Sequence, residues 1–198
     1  MNILKTWRSR HILTLGLALA GLMPSTLQAQ GSLESWGSDY HGQVSDTPHG
    51  WLFTQVSGGI QHSLALWANG HIFAWGFDDD GQVSNTPWQV GFTQVAAGGD
   101  FSMALNASGS IEVWGQEQYG LISDIPTGSE FTQISAGMDH ALALSTNGTI
   151  FAWGRDVHQG VITGTVSGAP INMGYTQVSA GNAHSLALTA NPHFSRAV

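Results

Sequence analysis

Four Trp-Gly pairs, led by Trp36, Trp75, Trp114 and Trp153, follow one another at intervals of 39 residues. A fixed period of this length means that one supersecondary unit is repeated, and that neighbouring copies bury each other's apolar faces. The clearest copy is Gly137 to Gly154, G-M-D-H-A-L-A-L-S-T-N-G-T-I-F-A-W-G. Small and apolar residues alternate over His140 to Leu144, Asn147-Gly148 follows, and a second apolar run ends at Trp153. Asn-Gly tolerates the positive φ of a tight turn between antiparallel strands, so the unit reads as a β-hairpin.

Further markers recur in step. Phe53 to Val56, Phe92 to Val95, Phe131 to Ile134 and Tyr175 to Val178 each alternate apolar with polar residues and predict a strand A. Strand B is expected at His62–Leu66, Phe101–Leu105, His140–Leu144 and His184–Leu188, and strand C at Ile72–Trp75, Ile111–Trp114 and Ile150–Trp153. Gln43–Ser45, Gln82–Ser84 and Leu121–Ser123, followed by prolines 48, 87 and 126, predict a short edge strand D. Four short antiparallel strands in about 39 residues is the size of one propeller blade. The chain starts with C- and D-like pieces, Leu33–Gly37 and Gly42–Ser45, and stops after a B strand at Leu188. The expectation is an all-β fold, a β-propeller of four blades in which the N-terminal strand pairs with the last blade and hides its edges. A dimeric ring of eight blades shared between two chains and a truncated arc of a longer array are the competing readings. Five extra residues between the third and fourth copies, within Val161 to Met173, are expected to form a tolerated loop.

Residues 1–29 stand outside the repeat. Lys5, Arg8 and Arg10 precede an apolar run, Ile12 to Met23, and Thr26-Leu27-Gln28-Ala29 offers a cleavage site, the pattern of a signal peptide. Residues 30–198 are then one domain, expected to be secreted or periplasmic and of bacterial origin. That domain keeps Arg155 and Arg196 against thirteen acidic residues, a formal charge of −11. Such a surface repels nucleic acid and anionic membranes and favours a basic partner. With no cysteine the domain holds together by packing, and thiolate metal sites and redox chemistry are excluded.

Gly181-Asn182-Ala183-His184-Ser185-Leu186-Ala187-Leu188, Gly148 to Gly154, and Asp80-Gly81-Gln82-Val83 resemble the regulator of chromosome condensation repeat family. The resemblance recurs along residues 30–198 and implies a β-propeller. The family's founding member is a nuclear guanine-nucleotide exchange factor of seven blades. A signal peptide, four shorter repeats and an acidic surface depart from it and argue against that activity. Secreted bacterial relatives imply protein binding through loops on one face.

Candidate site residues fall into three sets. Asp39, Asp78, Glu117 and Asp156 stand at one place after each Trp-Gly. Four carboxylates around a ring could bind calcium; the alternative is turn-making, since such side chains accept backbone N–H bonds. The resemblance implies asparagine there, which favours the turn. Two positions on, His41, Asp80, Tyr119 and His158 vary as a contact surface varies, and as an unconstrained surface does. Trp51, Trp67 and Trp88 replace smaller residues of the other copies and are candidate binding anchors, with local packing as the alternative. His62, His140 and His184 open strand B, are expected to be structural imidazoles, and suggest no metal site. No G-x-S-x-G, H-E-x-x-H or phosphate-cradling loop occurs, so the expectation is a non-catalytic, cofactor-free binding protein. Calcium or glycan binding is the alternative, and a hydrolase the least favoured reading.

Overall fold

The computed structural model describes residues 31–128, 130–158, 161–162 and 164–190. The expected signal peptide lies outside them. Among the described residues there are strands and turns and no helix. Nine strands make three copies of one antiparallel sheet. The first holds β1 (Phe53–Gly58), β2 (His62–Trp67) and β3 (Ile72–Gly76). The second holds β4 (Phe92–Ala97), β5 (Phe101–Asn106) and β6 (Ile111–Gly115). The third holds β7 (Phe131–Ala136), β8 (His140–Ser145) and β9 (Ile150–Gly154). A small hairpin, β10 (Val157–His158) and β11 (Val161–Ile162), precedes a two-stranded fourth unit, β12 (Tyr175–Ala180) and β13 (Ser185–Thr189). Strands A, B and C of the sequence reading therefore stand as expected in the first three sheets, and A and B in the fourth unit.

Register is identical from sheet to sheet: Phe53 pairs with Trp67, Phe92 with Asn106, Phe131 with Ser145 and Tyr175 with Thr189. The B–C turn explains part of this. Gly148 N donates to Ser145 O at 2.9 Å and Gly148 adopts φ +78°, a conformation that a side chain would strain. A Cβ at Gly148 would lie 2.6 Å from Gly174 N, because Tyr175 N of the next unit donates to Gly148 O. Each turn thus hooks the following strand A, as Gly70 does for Phe92 and Gly109 for Phe131. Phe53 N donates to Gly31 O in the same way, and Gly31 N donates back to Phe53 O, so the N-terminal segment occupies the strand C place ahead of the first sheet.

Strand D is not a strand. Residues 42–46, 81–85 and 120–124 are turns, closed by Asp46 N to Gly42 O, Asn85 N to Gly81 O and Asp124 N to Gly120 O at 3.0–3.1 Å. The reason is competition for backbone donors: the preceding acid captures the amides that a sheet would have used. The five extra residues also find their place. The captured amides lie five and six positions after Asp39, Asp78 and Glu117 but ten and eleven after Asp156. The insertion is therefore confined to the stretch holding β10 and β11, ahead of Val166.

The core lies between successive sheets. Leu64, Leu66 and Ile72 of the first pack against Phe92, Val95, Ala104 and Trp114 of the second. Phe101, Met103 and Leu105 pack in turn against Phe131, Ile134, Ala143 and Trp153. Burying each of the larger aliphatic and phenylalanine side chains among these stabilises by about 1.5–3 kcal/mol. Two polar devices lace the same junctions. Gln55 receives Val95 N at 2.9 Å and donates to Val95 O at 3.2 Å, and Gln133 does the same with Val178 at 2.9 and 3.1 Å. Gln94 links to Ile134 N and Thr132 O. An amide side chain here mimics the backbone pair of a missing strand and satisfies the edge of the innermost strand. Trp75, Trp114 and Trp153 each donate Nε1–H to a carbonyl of the preceding turn, Gln43, Gln82 and Leu121, at 2.9–3.0 Å.

Candidate functional site

The antiparallel register divides the candidate residues between opposite ends of the sheets. Strand A starts, strand B ends and strand C starts at one end, where Phe53 faces Trp67. The A–B loops and the loops after strand C lie at the other, where His62 faces Gly76.

The second end is acidic. Asp39 Oδ1 accepts Val44 N and Ser45 N at 2.8 and 2.9 Å; Asp78 Oδ1 accepts Val83 N and Ser84 N at 2.8 Å. Glu117 and Asp156 cap their turns in the same way. Hydrogen bonds from Ser45 and then Val44 hold the Asp39 carboxyl below its ordinary range. At Asp78 burial pushes the other way, but the amides of Ser84 and Val83 together outweigh it and keep that carboxyl low. Each acid therefore works as a turn cap, the structural alternative of the sequence reading. Among the described residues no three His, Asp or Glu side chains are grouped to hold a metal ion. Asp78→Asn keeps an accepting oxygen and is expected to leave stability nearly unchanged, whereas Asp78→Ala should cost about 1 kcal/mol. Chemical denaturation of both variants measures the difference, and equal losses would contradict the capping role.

His41, Asp80 and Tyr119 occupy the same end and are exposed. His41 lies edge-on to Phe77 at 4.8 Å, and Asp80 N donates to Gln82 Oε1. Tyr119 adopts φ +59° and carries the Arg155 guanidinium 4.7 Å from its ring centre. His158 contributes backbone to β10.

Trp51, Trp67 and Trp88 belong to the first end. Trp51 packs edge to face on Trp67 at 4.6 Å, and Trp67 is half-buried, so this pair joins a local aromatic cluster with Phe73. Trp88 is 85% exposed. It has company that the sequence reading missed: Leu52, Val90, Ile171 and Met173 are all exposed on the segments that return to strand A. Repeat alignment could have found them, because Ile171 falls at the place of Trp88, and Val90 and Met173 at the place of Trp51. An apolar residue recurs at loop positions where nothing in the strands covers it.

Two pairs of side chains have the outward form of catalytic machinery. His62 Nε2 lies 2.9 Å from Ser102 Oγ and His140 Nε2 3.0 Å from Ser185 Oγ. Ser102 is wholly buried and gives its proton to Gln82 O at 2.9 Å, so it accepts from His62 Nε2–H. Desolvation pushes the His62 pKa down to about 4, with Asp78 opposing. At His62 a neutral imidazole tied to a buried hydroxyl is a structural clamp; at His140 the imidazole is buried and its serine partner, Ser185, is exposed. The pairing is written into the repeats: where Phe101 replaces the histidine, Ala141 replaces the serine.

These features define an all-β protein of repeated propeller-type sheets whose polar residues are spent on joining sheet to sheet. Residues 53–82 and 131–159 match the family model of the Regulator of chromosome condensation (RCC1) repeat. No curated protein sequence matches the chain. Among solved structures it is similar to the ectodomain of the Physcomitrella patens receptor kinase CR4, at 22% identity and a TM-score of 0.60 over 72% of this chain and 37% of that one. The CRINKLY WD40 ectodomain of the Arabidopsis thaliana receptor kinase ACR4 follows at 19% identity and 0.59 over 73% and 49%. Yeast RCC1 (Prp20), solved with Kap60 bound, follows at 20% and 0.55 over 73% and 43%. The likeness is one of fold, and the chain spans less than half the length of each of these chains.

Proposed function

We propose that this is an exported, non-catalytic propeller that binds another protein through the apolar rim formed by Trp51, Leu52, Trp88, Val90, Ile171 and Met173. In this reading residues 1–29 direct export, the N-terminal segment supplies the strand that completes a fourth blade, and calcium is not required. The observation that carries it is the recurrence of exposed apolar residues at one end on three of the return segments, those leading to β1, β4 and β12. Rimmed, exposed apolar patches mark interaction sites, and tryptophan is enriched among the residues that dominate binding energy. The negative charge of residues 30–198 favours a basic partner. Solved relatives of the fold offer precedent, since yeast Prp20 is described with Kap60, Gsp1p and histones, all proteins.

The test is capture from the extracytoplasmic fraction of the native source, with wild-type, Trp88→Ala and Tyr119→Ala proteins as bait. Trp88→Ala should weaken retention of the captured partner about tenfold or more, as loss of an interface anchor does. Tyr119→Ala, at the opposite end, should leave it unchanged. Retention that depends on Tyr119 and ignores Trp88 would move the site to the acidic end and refute the reading.

A further inference from the structure

The two ends of the array are exposed, and each holds half of the junction that is repeated inside it. Val95, Ile134 and Val178 are buried at successive junctions, but their counterpart in the first sheet, Val56, is 58% exposed. Leu64, Met103 and Leu142 are buried, but Leu186 is 63% exposed, and Leu188 is 58% exposed where Leu66, Leu105 and Leu144 are buried. Trp36 is 86% exposed where its three counterparts are buried. The N-terminal segment sits ahead of β1 in the strand C place, with Leu33 packed against the Phe53, Ala65 and Trp75 cluster. Among the described residues no strand B stands beside it. The other end, β12–β13, shows strands A and B without a strand C among the described residues.

The polar code matches as well. Gln177 stands where Gln55, Gln94 and Gln133 reach the next strand A, and its target by register is Val56. Ser57 and Ser135 accept Ala97 N and Ala180 N across their junctions, at 3.0 and 2.9 Å, and Ser179 would meet Gly58 N in the same way. His62 and His140 clamp a serine of the next sheet, whereas Phe101 meets Ala141. His184 calls for serine by this rule, and the residue at that place in the first sheet is Ser63. Each exposed group at the trailing end thus finds its counterpart at the leading end of this same sequence.

We propose that β12–β13 of one copy docks between the N-terminal segment and β1–β2 of a second copy, and that two such junctions close a two-chain ring of eight blades. A second copy fits better than the chain's own end, because one chain, with its junctions already packed, leaves both faces in solvent. Head-to-tail contacts of this kind close into rings when the rotation permits. The contact requires no change in the packed interior of either chain.

Sedimentation equilibrium of the full chain should give twice the protomer mass. Leu186→Asp, at a position exposed in the single chain, should weaken the dimer about tenfold or more while leaving the circular dichroism spectrum intact. The chain has no cysteine, so Ser179→Cys and Gly58→Cys can be placed one per chain. Mixing the two single variants under oxidising conditions should produce a cross-linked dimer. A monomer of unchanged mass, or a disulfide that forms only within one chain carrying both cysteines, would overturn the proposal.

Discussion

Trp114→Ala is expected to destabilise the chain by about 3–5 kcal/mol, the range for truncating a buried aromatic residue, and to lower the melting temperature by roughly 10 °C. Trp114 ends β6, is 6% exposed and packs with Leu64, Leu66 and Ile72 of the sheet before its own. Its loss removes apolar contact on both sides of a junction and leaves a cavity that rigid strands cannot fill by collapsing. The hydrogen bond is the smaller part. Gln82 O, which accepts Trp114 Nε1–H, also accepts Ser102 Oγ–H, so that carbonyl keeps a partner when the indole is gone. Trp114→Phe should therefore cost about 1–2 kcal/mol. Thermal and urea unfolding of both variants give the comparison, and a phenylalanine variant as unstable as the alanine one would put the hydrogen bond, and not the packing, in charge.

What the sequence made legible follows from where repetition constrains residues. Strands A and B were readable because period-2 patterning recurs in four copies, strand C because a turn signal precedes it in three, and Trp36 to Trp153 set their spacing. Strand D was misread because Gln82-Val83-Ser84 has strand-like composition, while its fate is decided five residues earlier by the Asp78 carboxylate. The same carboxylate looked like a cation ligand for the reason that it makes a cap: it is an oxygen acceptor at a loop. The glutamine ladder escaped notice although Gln55, Gln94, Gln133 and Gln177 recur without exception, because a polar residue alternating in a strand reads as solvent-facing until the neighbouring strand is in place. At the candidate site the reverse holds. Trp88 was conspicuous as a single substitution, but Ile171 and Met173 belong to the rim only through repeat alignment across the five-residue insertion. Placing Trp88 and Tyr119 at opposite ends required the register of the sheets.

Acid should unfold this protein earlier than its carboxylates alone would, and His62 is the reason. In the unfolded chain its imidazole takes up a proton near pH 6.5; in the folded chain burial holds the pKa at about 4. The folded state therefore binds fewer protons, so the histidine's full contribution is present above pH 6.5 and is lost as pH falls from there to 4. Integrated over that window, the shift corresponds to about 3 kcal/mol. His140 is displaced in the same direction, chiefly by desolvation, and steepens the decline. The chemical cause is visible in the clamp: Nε2–H is committed to Ser102 Oγ, and Nδ1 is buried with no partner, so a second proton would be a buried donor with nothing to receive it. The protein supplies its own control in the Phe101 and Ala141 pair, which fills the same space without a titrating group. His62→Phe combined with Ser102→Ala should keep the fold at pH 7 and flatten the dependence of unfolding free energy on pH between 6.5 and 4. His62→Phe alone should flatten it too, with some loss at neutral pH where the ring meets the retained hydroxyl. Urea titrations at half-unit pH steps provide the slope, and a double variant with the wild-type slope would remove His62 as the acid-sensitive element.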